Sequence, residues 1–175
     1  MADRRAEGRL IWLRATGLLI WAMLIGYFVS PASMAWTRVS APPWLSWVGA
    51  GLAFVSVVGV AWVLHHLGPN LHRGATPLPH HTLVTTGPYR FIRHPWFAVL
   101  ILLLLALSFL WSSWPMFAFA LVRTVYFSVR ARIEERALRD AFGAAYDDYA
   151  RNVPRFLPFL PFGRGAAGSA TGSGA

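Results

Sequence analysis

The sequence predicts an all-α membrane protein with about four transmembrane helices and a cytoplasmic helical extension at its C-terminal end. Of its 175 residues, 56% are hydrophobic, and the mean hydropathy is +0.47. Only 13% of the residues are charged, which is low for a soluble domain. None of the seven acidic residues lies between Gly8 and Ile133. Long apolar runs without acids favour helices that cross a lipid bilayer.

Four apolar segments are predicted to span the membrane, because each approaches the length that crosses a core of roughly 30 Å. They lie near residues 10–29, 44–64, 96–111 and 116–129. The first contains Arg14 near its end, where a long side chain can reach the interface, and the last contains Arg123 in its interior. Ser112, Ser113 and Pro115 predict a tight turn between the last two spans.

All 16 basic residues are arginines, and their distribution predicts the orientation of the spans. The N-terminal segment, the loop His65–Pro95 and the tail from Arg130 are rich in arginine, whereas the loop Ser30–Pro43 holds only Arg38. This alternation predicts cytoplasmic termini, with the His65–Pro95 loop and the tail on the same cytoplasmic face. The use of arginine alone and the many alanines are typical of a GC-rich bacterial genome, so the expected location is a bacterial inner membrane. A cleaved signal peptide ending near Ala35 is the competing interpretation of the first span.

The orientation can be tested with topology reporters. We expect a reporter fused after Val39 to lie outside the cytoplasm and one fused after Gly74 to lie inside it, because the loops differ in arginine content. The measurement is the activity of a compartment-specific reporter at each position. If both fusions report the same compartment, the four-span arrangement is wrong.

The last span is predicted to continue into the cytoplasm as one helix, because no proline or glycine occurs between Met116 and Phe142. Gly143 is the expected helix stop. Residues 1–162 are predicted to form a single domain, and the Gly/Ala/Ser-rich tail 163–175 is predicted to be disordered.

Helical periodicity predicts different surroundings for two adjacent glutamates. Glu134 is expected to share a face with Arg123 and Arg130, beside the apolar stripe of the helix. Glu135 is expected on the opposite, solvated face, in an ordinary ion pair with Arg139 four residues later. Replacing Glu135 is accordingly expected to have little effect.

The polar residues of the second loop and the tail form a set of motifs. They are His81–Val84, Gly87–Arg90, Arg93–Pro95, Glu134–Glu135, Phe142–Gly143, Tyr146 and Val153–Pro154. In this order and spacing they resemble the isoprenylcysteine carboxyl methyltransferases and related bacterial membrane methyltransferases. The resemblance implies an integral membrane enzyme that uses S-adenosyl-L-methionine (SAM) and methylates a lipid-borne acceptor.

The sequence departs from that family's pattern at two positions. The family usually has His-Pro-x-Tyr-x-Gly where this chain has the residues from His94 to Val99. Phe97 lacks the hydroxyl group of the usual tyrosine, which removes one polar contact. Val99 replaces the glycine and is expected to narrow a close approach between helices.

The parts of SAM match residue types in these motifs. A carboxylate such as Glu134 is suited to the ribose diol, and Arg90, Arg93 and the helix start after Pro95 can bind the methionine carboxylate. The extended segment 82–84 can hold the adenine through backbone groups. The candidate cofactor-binding residues are His81, Thr82, Leu83, Val84, Tyr89, Arg93, His94, Pro95, Trp96, Phe97 and Glu134.

Arg130 and His94 are the candidate catalytic residues. A carboxylate acceptor, such as that of a prenylated cysteine or a similar isoprenoid thioether, is already ionised at neutral pH and needs no base. It needs a cation to position it, and Arg130 and Arg123 are the candidate substrate-binding residues. An amine acceptor has to lose a proton, for which His94 is the candidate base.

Several alternatives remain open at this stage. One keeps SAM but methylates a phospholipid or another lipid amine. Another is a haem- or quinone-binding subunit with His65, His66 and His94 as ligands, and a third is a non-catalytic membrane scaffold. Without cysteine there is no thiolate metal site, and no metal is predicted. The expected partners are a lipid-borne or prenylated small molecule and membrane lipids, with no nucleic acid and no obligate protein partner.

Overall fold

A computed structural model describes residues 17–68 and 82–157, and these residues are helical apart from turns and loops. The helices are α1 (Gly17–Val29), α2 (Trp44–Leu67), α3 (Pro95–Leu110), α4 (Trp114–Phe142) and α5 (Ala144–Asn152). Two short 3-10 helices cover Ala35–Thr37 and Gly87–Arg90. In the described part of the chain the only β pairing is an isolated bridge between Arg38 and Ser113. The all-α class is therefore confirmed.

One described helix, α2, is long and apolar enough to cross a membrane by itself. The shorter helices α1 and α3 are also apolar. Helix α4 runs for 29 residues without a break, so the predicted fusion of the last span with its extension is confirmed. The number of four spans stays a prediction, as do the disordered tail, the single domain and the part of the first span that lies outside the described residues.

Two glycines on α2 allow a close approach of α3. A side chain at Gly49 would collide with the backbone of Leu110 and would lie 2.7 Å from the carbonyl oxygen of Ala106. A side chain at Gly59 would lie 2.8 Å from a methyl group of Val99. The extra volume of Val99 is therefore accommodated by a glycine on the neighbouring helix, where the missing Cβ leaves room.

Helix α4 packs against α3 through a mainly aromatic core. Tyr126 and Phe127 are buried there and contact Phe97 on α3. The predicted turn between these helices is confirmed: Ser113 caps α4 by accepting a hydrogen bond from the backbone N–H of Met116. The turn and the aromatic packing fix the direction of α4 relative to α3.

The chain beyond α4 folds back onto the second loop. Gly143 ends α4 with a positive φ of 53°, which confirms the predicted stop. After α5, the segment 153–157, here called the return segment, lies beside the start of α3. The backbone N–H of Arg93 donates to the carbonyl of Pro154 at 2.9 Å, and that of His94 donates to Arg155 at 3.1 Å. These bonds bring two of the motifs found in the sequence, Arg93–Pro95 and Val153–Pro154, into contact.

Candidate active site

Six polar side chains lie together and are here called the polar cluster: Arg93, His94, Arg130, Glu134, Glu135 and Arg155. A buried carboxylate lies at its centre. Glu135 is only 2% exposed, and Arg155 donates to it from Nε at 2.8 Å and from Nη2 at 2.6 Å. His94 Nε2 lies 3.2 Å from the same carboxylate, and Arg93 Nη2 lies 3.7 Å away. Three cationic or protonatable side chains from two distant segments thus share one anion, a geometry that fixes the loop and the return segment on α4.

The electrostatics of Glu135 follow from these contacts. Burial by itself raises the pKa of the Glu135 carboxyl, but hydrogen bonds from His94 and Arg155 outweigh burial and lower it to about 2. The nearby charge of Arg93 acts in the same direction. Glu135 therefore stays ionised throughout the physiological range and is occupied by protein partners.

The predicted solvated pair between Glu135 and Arg139 is wrong. Arg139 instead pairs with Asp147 of α5 at 3.0 Å, and both side chains are about half exposed. A helical wheel shows only how residues are arranged around one axis, and the return segment covers the side of α4 that the wheel left open to solvent.

Sequence reasoning missed Arg155. The available signal was a single charged residue in the otherwise apolar stretch 153–162.

Glu134 has different surroundings from its neighbour. It is half-buried, and burial raises the pKa of its carboxyl above the ordinary value, which the nearby His94 and Arg130 only partly offset. Within the described residues no hydrogen bond or ion pair to the Glu134 carboxylate is present. Its electrostatic neighbours include Tyr89 of the second loop. As far as the described residues are concerned, the Glu134 carboxylate thus accepts no hydrogen bond, and it lies near Tyr89, His94 and Arg130.

The two candidate substrate arginines lie on one side of α4 but are not adjacent. Arg130 is buried and close enough to Glu134 to influence its charge. Arg123 lies about two turns earlier, with its guanidinium 4.5 Å from the ring centre of Tyr126 and 4.7 Å from that of Phe127. Such rings stabilise a cation inside an apolar region. The structure therefore places Arg130 in the cluster and Arg123 deeper along the helix.

Phe97 joins the site to the helix core. Its ring stacks on His94 at 5.5 Å on one side and on Phe127 at 4.9 Å on the other. Both contacts are made by the ring face and not by a hydroxyl group, so phenylalanine makes them as tyrosine would. His94 is thereby held by Phe97 as well as by Glu135.

The remaining candidate residues differ in burial and in their contacts. Tyr89 is held by α5, because the Tyr149 hydroxyl donates to its carbonyl at 2.7 Å, and burial raises the pKa of the Tyr89 hydroxyl. Arg90 is exposed, in contrast to Arg93. The other candidates are exposed Thr82, half-buried Leu83, Val84 and Trp96, and buried Pro95 at the start of α3. His81 lies outside the described residues.

The histidines considered as haem ligands have separate neighbours. His65 and His66 contact each other at the end of α2, with ring centres 5.3 Å apart, and His66 Nδ1 lies 3.0 Å from the carbonyl of Trp62. His94 is paired with Glu135. Among the residues that the structure describes, no group of three or more potential metal ligands occurs.

The fold and the cluster define an all-helical protein, with one described helix able to cross a membrane, whose polar residues gather where the second loop, α4 and the return segment meet. The chain belongs to the isoprenylcysteine carboxyl methyltransferase (ICMT) family, whose sequence profile matches residues 49–140. The family predicted from the motifs is therefore confirmed.

Curated relatives match part of the chain. An uncharacterised protein of Bacillus subtilis, YpbQ, is 34% identical over 96 residues, which are 54% of this chain and 57% of that protein. A probable protein-S-isoprenylcysteine O-methyltransferase of Oryza sativa subsp. japonica is 37% identical over 46% of this chain and 42% of its own length. Methanethiol S-methyltransferase 2 of Bradyrhizobium diazoefficiens is 39% identical over 41% of this chain and 27% of that protein. The chain spans about half, or less, of the length of these relatives.

A solved structure supports the fold. The eukaryotic intramembrane Ras methyltransferase ICMT superposes with a TM-score of 0.64 over 85% of this chain and 53% of that chain. The sequence identity is 24%, so the likeness concerns the fold.

Proposed function

We propose that this protein is a SAM-dependent methyltransferase that acts on a membrane-embedded carboxylate, such as that of a prenylated cysteine or a related isoprenoid thioether. One observation carries the proposal: Glu134 is a half-buried carboxylate without a hydrogen-bond partner among the described residues, beside Arg130 and His94. Its neighbour Glu135 already binds Arg155 and His94. Membership of the ICMT family supports the same class of reaction.

The residues present fit SAM. Glu134 would accept hydrogen bonds from the ribose hydroxyl groups, and a carboxylate that is partly desolvated before binding makes stronger hydrogen bonds than an exposed one. Arg93 and the start of α3 after Pro95 would hold the methionine carboxylate. When bound, SAM supplies a methyl group that is activated by a sulfonium. The other cofactor-binding residues predicted above belong to the same proposal.

Orientation is the principal contribution of the protein in this proposal. An in-line displacement needs donor and acceptor aligned, and a carboxylate acceptor needs no proton removed. Arg130, buried at the cluster, would hold the acceptor carboxylate, and Arg123 would contact the acceptor deeper along α4. The Nε2 atom of His94 is engaged with Glu135, which favours a carboxylate acceptor over an amine that would need His94 as its base.

The proposal is tested by methyl transfer from labelled SAM to defined acceptors in detergent or bilayers. We expect transfer to a prenylated cysteine analogue with a free carboxylate and no transfer to its methyl ester. Transfer to phosphatidylethanolamine instead would establish the amine alternative, and transfer to a small thiol would indicate sulfur as the acceptor. Failure to bind SAM would contradict the proposal as a whole.

The role of Arg130 gives a separate prediction. Arg130→Ala is expected to reduce methyl transfer about 10- to 100-fold, since a charge-assisted hydrogen bond contributes about 1.5–3 kcal/mol, with little change in SAM affinity. Arg132→Ala, at an exposed position of the same helix, is the matched control and should leave both quantities close to those of the unmodified protein. Loss of SAM binding in Arg130→Ala would move Arg130 from the acceptor site to the cofactor site.

A further inference from the structure

The corner formed by Arg90 and Phe91 is an exposed part of the second loop, and Arg90, unlike Arg93, has no contact with Glu135 among the described residues. Phe91 is 52% exposed, and its ring centre lies 6.4 Å from that of Trp62, which is itself 45% exposed. The Arg90 guanidinium carbon lies 6.0 Å from the Phe91 ring centre. Within the described residues Arg90 has no acidic partner. Two exposed rings beside a cation form a patch that suits an interface better than a surface that faces only water.

The position of Trp62 on α2 gives the depth of this corner. Trp44 and Trp62 are 18 positions apart in the sequence, or about 27 Å along a helix, close to the roughly 30 Å thickness of a hydrocarbon core. Tryptophans are enriched at both interfaces of a membrane, so these two mark its edges. Between them α2 exposes apolar side chains such as Phe54. Phe91, which lies against Trp62, is therefore at the level where acyl chains meet head groups.

The corner is held firmly against α2. The His66 ring lies so close to Gly87 that a side chain at position 87 would collide with it. Gly87 has a φ of +59°, which favours glycine, and the 3-10 helix Gly87–Arg90 begins there. The loop therefore presents Arg90 and Phe91 in a defined place at the end of α2.

We propose that Arg90 and Phe91 bind the anionic surface of the lipid bilayer. Phe91 inserts beside Trp62 among the first segments of the acyl chains, and Arg90 pairs with the phosphate of an anionic phospholipid. A guanidinium group matches a phosphate in both charge and geometry. The contact lies three residues before Arg93 and four before His94, so it sets the depth at which the polar cluster meets the membrane. Because it concerns lipid rather than the methyl acceptor, the inference does not depend on the proposed reaction.

Depth is measured with a nitroxide spin label, which the absence of native cysteine makes specific. We expect a label on Phe91→Cys, in phosphatidylcholine nanodiscs, to be accessible to oxygen and shielded from a water-soluble nickel chelate. A label on Asn152→Cys, an exposed position at the end of α5, is the control and should show strong collision with nickel. Equal nickel accessibility at both positions would overturn the insertion of Phe91.

Lipid selectivity tests Arg90. Spin-labelled phosphatidylglycerol is compared with spin-labelled phosphatidylcholine by the fraction that the protein immobilises. We expect the unmodified protein to prefer phosphatidylglycerol over phosphatidylcholine. In Arg90→Gln we expect the affinity of the lipid site beside residue 90 for phosphatidylglycerol, relative to phosphatidylcholine, to fall roughly fivefold. Arg151→Gln removes an equal charge from an exposed arginine that is paired with Asp148, and should retain the preference. A full preference in Arg90→Gln would overturn the phosphate contact, and binding of an acidic protein without any lipid preference would assign the corner to a protein partner.

Discussion

Replacing Glu135 by alanine is expected to destabilise the protein by about 3–5 kcal/mol, the cost of leaving buried charges without their partner. The carboxylate is the one anion that Arg155, Arg93 and His94 contact among the described residues. We expect the Tm in detergent to fall by roughly 10 °C, with loss of the docking between the return segment and the loop. The measurement is thermal unfolding followed by intrinsic fluorescence and size-exclusion chromatography.

A matched control is the ion pair between Arg139 of α4 and Asp147 of α5. Asp147→Ala removes the partner of Arg139, but this pair is about half exposed, so the expected change is about 0–1 kcal/mol. Equal destabilisation by the two variants would show that Glu135 is not the centre of the cluster. A double-mutant cycle of Glu135→Gln with Arg155→Gln should also show strong coupling, because the two side chains share two hydrogen bonds.

Acidification should destabilise the protein for the same reason as the replacement of Glu135, because protonation removes the negative charge of its carboxylate. Its pKa is lowered in the folded state, so the stability that it contributes is present above the ordinary pKa of glutamate, near 4.5. That contribution is lost as the pH falls from this value towards about 2. The unfolding temperature of Glu135→Gln should therefore depend less on pH in this window than that of the unmodified protein.

Replacing Glu134 by glutamine is expected to weaken SAM binding by about 10- to 100-fold while the protein stays folded. A hydrogen bond between a charged group and a ribose hydroxyl contributes about 1.5–3 kcal/mol, and no protein partner of Glu134 is lost among the described residues. Calorimetric titration with SAM measures the affinity. Asp140→Asn, an exposed acid on the same helix, is the control and should leave the affinity unchanged.

The pH dependence of SAM binding gives a second check on Glu134. Burial raises the pKa of this carboxyl, and the ionised form is the one that accepts hydrogen bonds on both oxygens. Affinity should therefore fall on acidification, beginning at a higher pH than for an ordinary glutamate, and Glu134→Gln should lack this dependence. An unchanged affinity in Glu134→Gln would remove Glu134 from the cofactor site.

The sequence by itself determined the helical class, the continuous α4 and the helix stop after it. Apolar runs without acids, the absence of proline and glycine from Met116 to Phe142, and Gly143 were sufficient for these features, because they depend on local backbone preferences. The motifs also identified the family, since their order along the chain is itself sequence information.

Only the tertiary structure decided the separate environments of the two glutamates. Periodicity placed Glu134 correctly beside Arg130 but left Glu135 in solvent, because a helical wheel contains no information about a segment twenty residues later. The same limit applies to Val99, whose fit depends on Gly59 of another helix, and to Phe97, whose ring is packed between His94 and Phe127. Burial and pairing depend on which distant segments come together, and that is a property of the packed chain rather than of any one stretch of it.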